Sequence, residues 1–148
     1  VAAQPGRGRG AEPGKLRAAL VGELLEHARA EFALDLTREG GCSLRDQLLQ
    51  VQAATGRRPA GLATPQAPAS LSYLLAYFGE LAAARRMGMS APEPIGWSEI
   101  AAWAGIAGVT LQAWEARVLR ALDALWISAW RDGQGEPTAS GKASARRH

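Results

Sequence analysis

GWSEIAAWAGIAGVTLQAWEARVLRALDALWISAW, residues 96–130, holds all five tryptophans of the chain: Trp97, Trp103, Trp114, Trp126 and Trp130. Apolar residues recur at helical spacing on both sides of GVT (108–110), which predicts one helix from Trp97 to Ile106 and another from Leu111 to Arg131 with Thr110 as its N-cap. The two are expected to fold on each other as a hairpin with the tryptophans in its core. Two jobs fit such a hairpin: reading DNA as a helix-turn-helix, or packing and protein contact alone.

The helix-turn-helix register is close. In EIAxxxGIxxxTLxxW, Glu99 to Trp114, Ala101 is the small residue of the first helix, Gly105 falls at the turn, and Leu111 and Trp114 point inward. The chemistry of the reading face is wrong, however. Base edges must meet donors and acceptors, and phosphates must meet donors, yet the start and outer side of the second helix carry Ala107, Gly108, Val109, Gln112, Ala113 and Glu115. Only Gln112 can read a base, Glu115 repels phosphate, and Arg117 and Arg120 come late. A DNA-binding protein using residues 99–120, as a phage regulator or packaging subunit, is therefore the alternative reading, and nucleic acid is not the expected partner.

The rest of the chain extends the helical pattern. Leu16, Leu20, Leu24, Ala28, Phe32 and Leu36 mark one stripe over residues 15–36, closed by Gly40 and Gly41. Ser43 caps a short helix from Leu44 to Thr55, with Leu44, Leu48 and Val51 on one side and Gly56 as its stop. Prolines 59, 65 and 68 forbid a helix through RRPAGLATPQAP and leave a loop free to wrap over a neighbouring surface. A third helix is predicted from Ala69 to Met87, closed by Gly88, before Pro92 and Pro94. The fold class is all-α: a small bundle of about five helices with a tryptophan-rich C-terminal hairpin. Residues 15–131 form one domain (15–42 an N-terminal helix, 43–131 the remainder), between disordered tails at 1–14 and 132–148.

Composition narrows the function. The 148 residues carry 17 Lys and Arg against 14 Asp and Glu, but this excess is spread along the chain; no phosphate-binding stripe emerges. One cysteine, Cys42, cannot form an internal disulfide. No apolar run reaches membrane-span length and no secretion signal opens the chain, so a cytoplasmic protein without membrane contact is expected. Catalysis lacks its parts. Glu23, His27 and Glu31 stand at i, i+4 and i+8 on the first helix, too far apart to converge on one ion, and Cys42 has no histidine nearby. No enzyme activity, metal or cofactor is expected.

The residues from about Ser43 to Trp130 resemble the small tail assembly chaperones of tailed bacteriophages and prophages. The likeness is carried by the order of SLRDQL (43–48), TGRRPAGL (55–62), YLLAYFGELAAAR (73–85), GMSAPEPIGWSEIAAW (88–103) and TLQAWEARVLRALDALW (110–126). The resemblance implies a protein that binds the tape measure protein, keeps it soluble, assists polymerisation of the tail tube protein around it, and leaves before the virion matures. It maps onto Tyr73, Phe78, Glu80, Leu81 and Arg85, and onto Trp97, Glu99, Ile100, Trp103, Leu111, Trp114, Glu115, Leu122 and Asp123. Two departures stand out: Gly96 where such proteins cap the helix with Thr or Ser, and Gly105 where a longer polar residue is usual. A domain this small is not expected to bury every aromatic, and Tyr73, Tyr77, Phe78, Trp103, Trp114 and Trp130 are the candidate client-binding face. Glu99, Glu115 and Asp123 are expected to cap helices or to pair with Arg85, Arg117 or Arg120.

Overall fold

The computed structural model describes residues 12–37 and 40–135. The expected tails lie mostly outside them. Five helices run in order: α1 Pro13–Asp35, α2 Leu44–Thr55, α3 Ser72–Ala83, α4 Trp97–Ala107 and α5 Ala113–Gly133. Two 3₁₀ turns, Ala60–Leu62 and Ala69–Leu71, punctuate the proline-rich loop before α3. Among the described residues there is no β-strand; only two isolated bridges occur, Thr37 with Ser43 and Met87 with Pro92. The chain is all-α, as its spacing predicts.

The local signals act as physical chemistry requires. Pro13 opens α1 at a position where its missing N–H costs nothing. At α2 the Ser43 hydroxyl accepts from the Asp46 amide at 3.1 Å while the Asp46 carboxylate accepts from the Ser43 amide at 3.0 Å, a complete capping box. Gly56 closes the helix at φ 68°, a left-handed conformation in which side chains are strained.

Several boundaries differ from expectation: α1 opens at Pro13, inside the expected N-terminal tail, and α3 begins at Ser72, not Ala69, with Ala69–Leu71 a separate 3₁₀ turn. The third helix stops at Ala83, short of Met87, because Arg85 turns inward and the chain folds back through Arg86–Glu93. The last helix starts at Ala113 with Gln112 as its cap, not Thr110: the Glu115 carboxylate reaches back to the Gln112 amide at 2.7 Å and fixes the start there. It also runs to Gly133, two residues into the expected tail. The turn between α4 and α5 is made by Gly108, at φ 69°, whereas Gly105 lies inside α4.

The core forms where α5 is sandwiched between α1 and α3. Val118, Leu119 and Leu122 of α5 meet Leu24 and Ala28 of α1 and Leu74, Phe78 and Leu81 of α3, with Leu71, Ile95 and Ile100 completing the cluster. The expected hairpin is therefore corrected: α4 rests chiefly on α3, and the principal partner of α5 is α1. The tryptophans are corrected as well. None is fully buried; Trp103, Trp114 and Trp126 pack on the rim of the core and Trp97 is 54% exposed. Aliphatic side chains fill the centre instead.

α2 has no buried residue, and Val51, expected inward, is 49% exposed. Polar fasteners hold this flank. Arg45 bridges Glu31 and Asp35 of α1, the Thr64 hydroxyl donates to Glu31 at 2.5 Å, and the Pro65 carbonyl lies 2.6 Å from His27 Nδ1. The proline-rich loop thus wraps over α1, and His27 and Glu31 fasten it instead of lining a metal rail. Burial alone would push Glu31 upward, but the Thr64 hydroxyl and the Arg45 guanidinium outweigh it and hold the carboxyl below its ordinary 4.5.

Because that carboxyl is more acidic in the folded chain, its contribution to stability is present above the ordinary value and lost as pH falls through the depressed one. On acidification below about 4.5, NMR amide signals of Leu44–Thr55 are expected to collapse before those of Leu119 and Leu122. Arg45→Ala should reproduce this local loosening at neutral pH while lowering global stability by only about 0.5–1 kcal/mol in urea titration, as for a half-exposed ion pair. Leu24→Ala, by contrast, should cost about 3 kcal/mol.

Candidate protein-binding surface

Tyr73 and Tyr77 share one side of α3, one helical turn apart, with ring centroids 5.5 Å apart. Tyr77 in turn lies 5.0 Å from Trp103 of α4. Each outer ring has a polar anchor. The Tyr73 hydroxyl donates to Glu115 at 2.5 Å, Trp103 Nε1 donates to Glu80 at 2.9 Å, and Trp114 Nε1 donates to Gln112 at 2.9 Å. Burial, then the hydrogen bond to Glu115, pushes the Tyr73 phenol up to about 12, so it remains a donor. Arg17 of α1 lies 4.9 Å above the Trp114 ring. Tyr73, Tyr77, Trp103 and Trp114 are all half-buried, with part of each ring facing out.

Two candidates stand apart. Phe78 is 5% exposed and belongs to the core, 5.6 Å from Phe32, and in this conformation it offers no contact surface. Trp130 lies sixteen residues beyond Trp114 on α5, roughly 24 Å along the axis. The open groove of about 550 Å³ between the C-terminal halves of α1 and α5 does not include it; that groove is lined by Ala33, Leu36, Leu125 and Ala129 together with the polar Arg29, Ser128 and Asp132.

The acids are largely structural. Glu99 accepts the Gly96 amide at 2.6 Å, the half of a capping box that does not require a side-chain oxygen at position 96. Asp123 is 2% exposed and pairs with Arg85, whose side chain is 4% exposed; Nη2 and Oδ1 are 2.5 Å apart. Asp123 Oδ2 accepts the Ile95 amide at 2.9 Å, Arg85 Nη1 donates to the Glu93 carbonyl at 3.0 Å, and the guanidinium stacks 4.1 Å from the Trp126 ring. Arg85 Nε, also buried, has no acceptor. The pair therefore anchors the α3–α4 connection, residues 84–96, to α5.

That connection bears apolar surface which the sequence pattern hides. Met87 is 65% exposed, Met89 fully exposed, and Trp97 follows at the start of α4. Reading α3 through to Met87 conceals them; Gly88 and the two prolines downstream are the only signals that the segment leaves the helix. Ile106, 90% exposed at the far end of α4, was hidden by placing the turn at Gly105.

The same geometry engages side chains that a DNA-reading arrangement would use. α5 lies in the middle of the bundle, Gln112 and Glu115 at its start are occupied by Trp114 and Tyr73, and Arg120 covers Trp97 at 5.0 Å. Among the described residues no group of three His, Cys, Asp or Glu side chains gathers to hold a metal ion, and no helix is long and apolar enough to cross a membrane.

A family model described as phage tail assembly chaperone matches residues 51–128, just over half of the chain. This chain belongs to the phage tail assembly chaperone family. No curated protein and no solved structure matches it. The matched segment begins inside α2 and holds both members of the buried ion pair, the aromatic group on α3 and α4, and the methionine loop. It leaves out α1, whose Leu24 and Ala28 nevertheless sit in the core.

Removing one partner of a buried pair strands the other charge, at a cost of about 3–5 kcal/mol. Asp123→Ala and Arg85→Ala should each lose that much in urea-induced unfolding. Replacing both together, Arg85→Met with Asp123→Leu, should recover only part of it, because the buried Ile95 amide then lacks an acceptor, at a cost of about 1–3 kcal/mol.

Proposed function

We propose that this tail assembly chaperone acts in the host cytoplasm by binding the tape measure protein, holding it soluble until tail tube subunits assemble around it, and is absent from the finished virion. The observation that carries this reading is the half-exposed aromatic surface of Tyr73, Tyr77, Trp103 and Trp114 on a folded helical body. Phenol and indole rings combine large apolar contact area with a polar edge and lose little side-chain entropy on binding. Their polar edges are already bonded to Glu115, Glu80 and Gln112, so the rings are held in place while their outer parts stay free. A long helical client laying an apolar ridge across them needs no other chemistry. Trp130, partly exposed farther along α5, is a second contact point for so extended a partner.

Family membership favours a non-catalytic role. The DNA-binding alternative fits less well. About 6–10 phosphate contacts are usual for such proteins, and the start of α5 presents an acid and an occupied glutamine.

Co-expression with the tape measure protein of the same phage tests the proposal. The client is expected to move from the insoluble to the soluble fraction and to co-purify with the chaperone. Tyr77→Ser with Trp103→Ser should reduce the recovered complex by about tenfold while α5 stays folded by NMR. A client that is no more soluble with the chaperone than without it would contradict the reading. Steeply salt-dependent retention on duplex DNA would favour the alternative.

A further inference from the structure

The connection between α3 and α4 is tied down more heavily than a linker requires, yet it spends its apolar side chains on solvent. Its two ends are fixed by Arg85 with Asp123, by the Ile95 amide on the same carboxylate, and by the Glu93 carbonyl on Arg85. Within it the chain closes a small hairpin: the Gly88 amide donates to the Ala91 carbonyl at 2.8 Å, and the Glu93 amide to the Arg86 carbonyl at 2.9 Å. A side chain at Gly88 would bring its Cβ within 2.9 Å of the Ala91 oxygen, so the turn requires glycine. The backbone is therefore held, while Met87 and Met89 project from it 65% and fully exposed. Packing gives no reason for this. Ile95 and Pro92 of the same segment do turn inward.

The neighbours add a small excess of positive charge. Arg86 reaches to 4.0 Å from Glu99 and so stands at the N-terminal end of α4, where Trp97 is 54% exposed. Arg120 lies over that ring, and Arg117, exposed, is one turn before it on α5. Of the acids at this end, Asp123 is buried in its pair and Glu99 is engaged by the Gly96 amide and Arg86. With Arg86 matched to Glu99, Arg117 and Arg120 stand against Glu93, a surplus of one positive charge.

We propose that Met87, Met89 and Trp97 form a docking platform for an amphipathic helix of a protein partner whose apolar ridge is edged by carboxylates. Unbranched thioethers adapt to successive, non-identical apolar ridges, the indole provides a flat anchor, and the arginines select acidic flanks and reject basic ones. This rests on the reading of the chain as a chaperone for helical proteins. It adds a second surface to the aromatic group of α3 and α4, and it states the partner's charge.

The sequence contains only two methionines, both on this platform, so the full chain labelled with ¹³C at the methionine methyl groups gives two resonances that report on it alone. The probes are two synthetic amphipathic helical peptides with one leucine ridge, edged by Glu in the first and Lys in the second. Both resonances are expected to shift saturably with the Glu-edged peptide, which should bind about tenfold more tightly than its Lys-edged counterpart. Met87→Ser with Met89→Ser should lose about tenfold in affinity for it with an unchanged melting temperature. Silent methyl resonances at saturating peptide, or an equal response to both peptides, would overturn the platform. If the serine variant still solubilises the tape measure protein while the resonances are silent, the platform fails and the chaperone reading stands. If the unaltered chain binds the Glu-edged peptide but holds no tape measure protein, the chaperone reading fails and the platform stands.

Discussion

One buried ion pair sets the positions on which the remaining surface depends. Arg85 follows the end of α3, Asp123 lies in the middle of α5, and their union pins the connecting segment through the Ile95 amide and the Glu93 carbonyl. Taking two charges out of water is expensive, and a hydrophobic pair of similar volume would often serve stability as well. What apolar residues cannot do is hold a backbone amide and a backbone carbonyl by directed bonds. The pair therefore makes most sense as a positioning device. It decides where α4 begins, and so where Trp97 and the methionine hairpin stand.

Around this anchor the bundle divides its labour. Aliphatic residues of α1, α3 and α5 and Phe78 supply the hydrophobic burial, and Tyr73, Tyr77, Trp103, Trp114 and Trp126 are left at the rim, with the polar edges of Tyr73, Trp103 and Trp114 bonded. The family match covers the anchor, the rim and the loop, while α1 lies outside it and still provides two of the most deeply buried residues, Leu24 and Ala28. α1 thus completes the body that presents the family's surface. α2 contributes little burial and is retained by the Arg45 bridge and its caps.

Much of this was legible in the residues. The bounds of α2 follow from Ser43 and Gly56 alone, because a capping box and a left-handed glycine are local chemistry. The family was legible from the order of five short segments that were individually unremarkable. The hairpin was not, since spacing within a helix says which side is apolar but not which neighbour covers it. Residues 111–112 carry helix-compatible apolar and polar types, and only the Glu115 carboxylate reaching the Gln112 amide moves the start of α5 to Ala113. The tryptophans misled for a related reason: their size suggests core, but the indole N–H groups of Trp103 and Trp114 find their acceptors, Glu80 and Gln112, at the edge. Asp123 was legible as one member of a pair, and Arg85 was among its three possible partners. That the pair lies buried, and so fixes Met87 and Met89 in the open, depends on contacts between residues thirty-eight positions apart.

The amide of Ile95 tests this account most directly, because it belongs to a surface connection yet donates to a buried carboxylate. Hydrogen exchange followed by NMR should find it among the slowest in the chain, opening only with global unfolding alongside Leu119 and Leu122. Exchange at the rate of the exposed amides around Met89 would mean that the connection is a loose linker, and the anchor would not be what organises the surface.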